Sequence, residues 1–154
     1  MKSLIIVICL FICNLNADAQ SKFTKQNAKS IIDTFFEGFH EGDTLKMSQT
    51  MASNMVMQTA YSTKDGQHKV EDSNVTSFLT SIANRPTSQK WDEQLLDYNI
   101  QIDGNLAHVW TPYKFYFNGN FSHCGANAFT LTKTNEGWRI LHLIDSRRFE
   151  GCLD

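Results

Sequence analysis

Between positions 24 and 40 the apolar residues Ala28, Ile31, Ile32, Phe35, Phe36 and Phe39 recur at intervals of three and four. On a helix that spacing makes one broad apolar stripe. Gly42 stops the helix, and Asp43 can cap a short second one carrying Leu45, Met47 and Met51. The period then falls to two. Residues 55–61 alternate as a strand does, and Lys64-Asp65-Gly66-Gln67 turns the chain back into a short strand near 68–70. Asp72 or Ser73 is placed to cap a third helix, with Val75, Phe78, Leu79 and Ile82 on one face and Arg85-Pro86 at its end. The remainder reads as strand: 91–102, 106–117, 121–134 and 138–146. These runs are divided by Asp103-Gly104, Asn118-Gly119-Asn120 and Asn135-Glu136-Gly137, which are hairpin turn signals. Helix, helix, hairpin, helix and then an antiparallel meander of four long strands predict an α+β domain.

Loop lengths decide which side chains share a face, because residues alternate across a strand. A two-residue loop at Asp103-Gly104 and three-residue loops at the other two turns give an apolar inner face. It carries Leu96, Tyr98, Ile100, Ile102, Ala107, Val109, Thr111, Tyr113, Phe115, Phe129, Leu131, Leu141 and Leu143. His123, Asn127, Asp145 and Arg147 fall on the same face towards one end, with Asn127 opposite Asp145 at about 5 Å between Cβ atoms. A two-residue loop at Asn118-Gly119 would instead turn Trp110 inward in place of Tyr113. The outer face collects Trp110, Trp138, Ile140 and Ile144, an apolar patch suited to burial against a second copy as a homodimer.

The first residues stand apart from this pattern. Lys2 precedes an apolar run from Leu4 to Ile12, and Ala17-Asp18-Ala19 offers a small-x-small cleavage pattern before Gln20. The expectation is a signal peptide over 1–19, cleaved near Ala19/Gln20, and a single secreted or periplasmic domain over 20–154. The other reading is a buried N-terminal helix. Cys9 and Cys13 each follow isoleucine rather than a small residue, which argues against a lipid anchor.

Charge and cysteines narrow the partners. The net charge is −2 with no basic cluster, so nothing electrostatic points to nucleic acid or to an anionic membrane after processing. The mature chain keeps Cys124 and Cys152, which either pair in an oxidising compartment or stay as free thiols. A pair would contribute roughly 3 kcal/mol. With no further Cys or His at ligand spacing, neither a metal nor another cofactor is expected.

The order of elements resembles that of the nuclear transport factor 2-like superfamily. "FHEGD" after the first helix, "FSHCGANAFTL" and the closing "GWRILHLIDSRR" carry the likeness, which is closest to small secreted bacterial members grouped as SnoaL-like or lumazine-binding-like. The resemblance implies a cone, in which a strongly bent antiparallel sheet wraps the long first helix and leaves a pocket at its open end. Relatives of this kind include ketosteroid isomerase, scytalone dehydratase, polyketide cyclases and non-catalytic adaptors, so the fold by itself leaves function open. Where the isomerases and dehydratases place an acid near the first strand, this chain has Met55, Met57, Gln58 and Tyr61. That departure argues against ketosteroid-type isomerisation.

Three functional readings follow. The first is a domain binding a small, partly hydrophobic ligand through Tyr113, Asn127, Tyr98, Phe115, Phe129 and Arg147. The second is a cofactor-independent lyase or isomerase acting on a small carbonyl compound. In it His123 is the proton carrier, Asp145 the carboxylate and Tyr113 a hydrogen-bond donor to a developing oxyanion. The third is a dimeric scaffold with a vestigial pocket. A structural alternative competes with the second, namely that Asp145 forms an ion pair with Arg147 or Arg148 while His123 bonds to backbone.

Overall fold

The computed structural model of the chain describes residues 22–152. The expected signal peptide and its cleavage site lie outside the described residues. Helix α1 (Lys25–Glu41) begins at Thr24, whose hydroxyl accepts the Asn27 amide at 3.2 Å while Asn27 Oδ1 accepts the Thr24 amide at 2.9 Å. These reciprocal bonds satisfy two donors that a helix start otherwise leaves open. Gly42, at φ 78°, ends α1 in the left-handed region, and Asp43 caps α2 (Thr44–Ser48). Strands β1 (Met51–Ser62) and β2 (His68–Ser73) form a hairpin. Because β2 stays paired as far as Ser73, the cap of α3 (Val75–Ala83) is Asn74 rather than the expected Asp72 or Ser73.

Strands β3 (Trp91–Leu95), β4 (Asn99–Asp103), β5 (Leu106–Phe117), β6 (Asn120–Thr134) and β7 (Gly137–Arg148) complete a seven-stranded sheet. Its order is β2-β1-β7-β6-β5-β3, and β4 also pairs with β5. The meander is antiparallel as expected, but β1 lies parallel to β7, so the open sheet is mixed. The apolar stripe of α1 packs across the sheet. Phe35 and Phe36 meet Phe129 edge-on at centroid distances of 6.0 and 6.1 Å. Phe129, Val109, Leu131 and Ile140 are fully enclosed. Each such side chain stabilises the fold by about 2 kcal/mol through removal from water.

Two turns differ from expectation, and bulges offset the difference. Phe117 pairs with Asn120 across the two-residue turn Asn118-Gly119, both residues having positive φ (51° and 78°). That turn alone would have sent Trp110 inward. An extra residue, Ser122, sits between the Tyr116–Phe121 and Phe115–His123 pairs and restores the other register. Tyr113 is therefore inside at 2% exposure, and Trp110 is outside at 44%. In the same way Thr134 pairs with Gly137, and Leu141 is the extra residue before Thr130 meets His142. This second bulge corrects the outer face. Ile140 turns inward into the core, and Trp138 stacks on Phe23 at 3.8 Å, so of the four residues assigned outside only Trp110 and Ile144 share an outer row.

The run 91–102 is not one strand. Three residues between Leu95 and Asn99 face only two between Tyr113 and Trp110, so the alternation changes phase there. Leu96, expected inside, is 44% exposed, and Trp91, Glu93 and Leu95 turn towards the concave face.

Candidate functional site

A cavity of about 470 Å³ opens between the concave face of the sheet, α1 and α3. Phe35, Phe36 and Phe39 of α1, Phe78 of α3, Trp91 of β3, and Phe115 and Phe117 of β5 supply aromatic walls. Met57 and Leu143 add aliphatic surface, and Thr59, Glu93, His123, Asn127, Asp145 and Arg147 bring polar groups to the same space. Strand register explains the convergence, since Asn127 pairs with Asp145 on one side and Asp145 pairs with Thr59 on the other.

Asp145 is buried and held from several directions. Thr59 Oγ1 donates to its Oδ1 at 2.6 Å, Tyr113 OH donates to its Oδ2 at 2.9 Å, and Arg147 Nε stands 3.4 Å from Oδ2. A buried carboxylate needs such partners. Tyr113 lies behind this group rather than on the cavity wall. Its place depends on Gly125 opposite, where a Cβ would come within 2.8 Å of the Tyr113 ring and 1.8 Å of the Ser146 carbonyl oxygen. Burial and the neighbouring carboxylates of Asp145 and Glu93 push the Tyr113 phenol up, so it remains a donor.

The second carboxyl is Glu93, which the sequence reading did not single out. Asn127 Nδ2 donates to Glu93 Oε1 at 2.7 Å. Burial pushes the Glu93 carboxyl up to about 7; the Asn127 bond opposes that shift, the charge of Asp145 adds to it, and Arg147 opposes it. Near neutral pH the group therefore lies close to the point where acid and carboxylate forms are both present. Its placement was nonetheless written in the chain. The apolar positions shift phase from Trp91 and Leu95 to Tyr98, Ile100 and Ile102, and that shift is the signal for a break.

His123 differs from expectation. Burial, then the charge of Arg147, lowers it to about 4 against the opposing charge of Asp145, so it is neutral at pH 7 and a weak base. Its ring lies 4.9 Å from Phe115 and 6.1 Å from Phe149, with Ser122 Oγ 3.1 Å from Nδ1. It offers the cavity a neutral hydrogen-bonding edge. Phe115, Asn127 and Arg147 also line the cavity. Two other candidates sit elsewhere. Phe129 is sealed in the core, and Tyr98 donates to Asp33 of α1 at 2.5 Å beneath Lys29, outside this cavity.

Cys124 and Cys152, left open between a pair and free thiols, are joined as a disulfide that ties the end of the described chain to β6.

Comparison with known proteins places these features in context. The SnoaL-like domain matches residues 28–148. Similar solved structures include an NTF2-like protein of unknown function from Pseudomonas putida (TM-score 0.64, 15% identity, covering 82% of this chain and 87% of that one). A Streptomyces avermitilis protein whose name proposes a dehydratase of the NTF2-like family has a TM-score of 0.60 at 15% identity, over 81% of this chain and 96% of its own. A Shewanella frigidimarina protein named as a proposed ketosteroid isomerase has a TM-score of 0.56 at 18% identity, over 77% and 94%. At these identities the likeness is one of fold. No protein of curated function matches.

Proposed function

The chain belongs to the SnoaL-like family within the NTF2-like fold, and from that premise we propose that it is an exported domain whose cavity binds a small, partly hydrophobic ligand. The observation that carries this reading is the enclosure of about 470 Å³ by aromatic walls with a few convergent polar groups at one end. That is the usual composition of a small-molecule site. The ligand's apolar body would rest among Phe36, Phe39, Trp91 and Phe115. Its polar end would meet Glu93, His123, Asn127 and Arg147. Titration with a neutral polarity-sensitive naphthyl dye, followed by displacement with small aromatic ketones, alcohols and acids, tests it. Saturable binding that Phe115→Ala weakens supports the reading, and a wild-type protein that takes up no dye refutes it.

One observation favours a second reading, a cofactor-independent lyase or isomerase. Glu93 combines a raised pKa with a place in an apolar cavity. As carboxylate it would remove a proton from a carbon beside a carbonyl group. As carboxylic acid it would return that proton to another carbon, giving isomerisation, or to a departing hydroxyl, giving alkene and water. Here Glu93 takes the place of the pair first considered, since Asp145 is engaged by Thr59, Tyr113 and Arg147, and His123, lowered to about 4, is a weak base. Deuterium exchange from solvent into an enolisable ketone bound by the protein tests this reading. Exchange lost in Glu93→Gln supports it, and exchange no faster than in buffer removes it.

A further inference from the structure

Strand β3 ends one side of the sheet, so one of its backbone edges pairs with β5 and the other faces away. An open edge leaves N–H and C=O groups without ladder partners. At Glu93 the partner comes from the last turn of α1: His40 Nε2 lies 3.0 Å from the Glu93 amide nitrogen and 3.1 Å from its carbonyl oxygen. A neutral imidazole nitrogen accepts the N–H. Burial lowers His40 from its ordinary value; Asp92 and the Glu93 backbone oppose this, and Arg85 and Lys90 add to it. The ring is thus neutral near neutral pH, and its Nδ1–H tautomer is the one that accepts the Glu93 amide at Nε2.

The ring is fixed in turn. It lies 5.6 Å from Phe39 and 6.1 Å from Phe36. Arg85 donates to the His40 carbonyl at 2.7 Å and to the Phe39 carbonyl at 3.2 Å, which holds the end of α1 in place. The same guanidinium stands 5.3 Å from the ring of Trp91, two positions before Glu93. Phe39 lies 5.9 Å from Trp91 as well, so the end of α1 meets β3 at both residues that β3 contributes to the cavity wall.

We propose that His40 is a positioning residue: by holding the Glu93 backbone at the open edge of β3, it sets the direction in which the Glu93 carboxyl enters the cavity and its bond to Asn127. This rests on the reading of Glu93 as the cavity's proton-exchanging group. With the edge released, β3 can pivot on its pairing with β5. The carboxyl then gains water and ionises at lower pH.

The test is NMR on the folded protein, following the Glu93 carboxyl carbon through a pH titration and the Glu93 amide through hydrogen exchange. The wild type is compared with His40→Leu and His40→Gln, the glutamine retaining an acceptor at similar reach. The wild type is expected to titrate near 7 with a protected amide. His40→Leu should expose the amide and move the titration down by about one pH unit or more. His40→Gln should recover part of both. A wild-type Glu93 that titrates at the ordinary 4.5 removes the acid reading and this inference with it. Titration near 7 that His40→Leu leaves unchanged overturns the positioning role alone. Should His40→Leu not fold, the wild-type exchange rate decides, since an unprotected Glu93 amide overturns the inference.

Discussion

Asn127 and Asp145 stand directly opposite each other on β6 and β7, yet their side chains turn to different partners. Asn127 donates across the cavity to Glu93 at 2.7 Å, while Asp145 accepts hydrogen bonds from the hydroxyls of Thr59 and Tyr113. One acid is thereby held by several donors, and the other keeps a proton within reach at neutral pH. The two carboxyls in one cavity therefore differ in their hydrogen-bond partners, three groups around Asp145 and one amide at Glu93.

The titrations of Glu93 and His123 should oppose each other in stability. Glu93 is raised from 4.5 to about 7, so the folded state holds a proton that the unfolded state releases, and stability falls as pH rises from about 4.5 to 7. His123 is lowered from 6.5 to about 4, so the unfolded state binds a proton first, and stability falls as pH drops from about 6.5 to 4. Between pH 4.5 and 6.5 the slopes offset in the wild type. Urea unfolding should therefore show Glu93→Gln losing stability with acid and His123→Phe gaining it. Two variants with the same pH dependence as the wild type would contradict both shifts.

Core and mouth should separate under alanine substitution. Phe129→Ala removes a ring with 0% exposure packed between Phe35 and Phe36, and should cost about 3 kcal/mol or more through the cavity it leaves. His123→Ala removes a part-buried ring at the cavity and should cost less than about 1.5 kcal/mol while weakening dye binding. Chemical denaturation and dye titration on the two variants measure these effects. The reverse order would mean that the faces are wrongly assigned.

The outer sheet face remains a proposed dimer surface, now smaller than the sequence suggested. Trp110, 44% exposed, shares a row with Ala128 and Ile144, and Val56, 48% exposed, lies on β1 beyond His142. Burial of that row against a second copy would be isologous. Trp110→Lys should shift sedimentation from dimer to monomer at micromolar concentration. A wild type that sediments only as monomer at that concentration rules the dimer out.

Export is tested by mass. Protein recovered from the native host should begin at or near Gln20, after the Ala17-Asp18-Ala19 pattern. A chain retaining Met1 and showing no membrane association would contradict processing.

Much of this fold was legible because its signals are local. The stripe of α1, its stop at Gly42 and the Asn118-Gly119 turn each follow from a few neighbouring residues. Of the two registers left open at the Asn118-Gly119 turn, the structure takes the one with Tyr113 inside, although not through the loop length assumed for it. Each shorter turn is offset by a bulge, at Ser122 and Leu141, and alternation responds only to the sum. Ile140 was misplaced because a bulge lay between it and the residues that set the phase, and Glu93 was missed because the break after Leu95 hid the phase of β3. The parallel pairing of β1 with β7, which brings Thr59 to Asp145, depends on tertiary docking and leaves no mark in either strand's own pattern.

That parallel pairing also bears on the order in which the molecule assembles. Strands β5, β6 and β7 join through tight turns, whereas Thr59 and Asp145 meet across 86 positions of chain. Short loops close at lower entropic cost and sooner than long ones. The meander can thus form while β1 is still undocked, leaving the far edge of β7 as an open template. Asp145 then lacks its Thr59 donor until the last seam closes. The stage most exposed to edge-to-edge aggregation is therefore the stage just before Asp145 gains its Thr59 donor, and weak docking of β1 would show as misassembly before it showed as lost ligand binding.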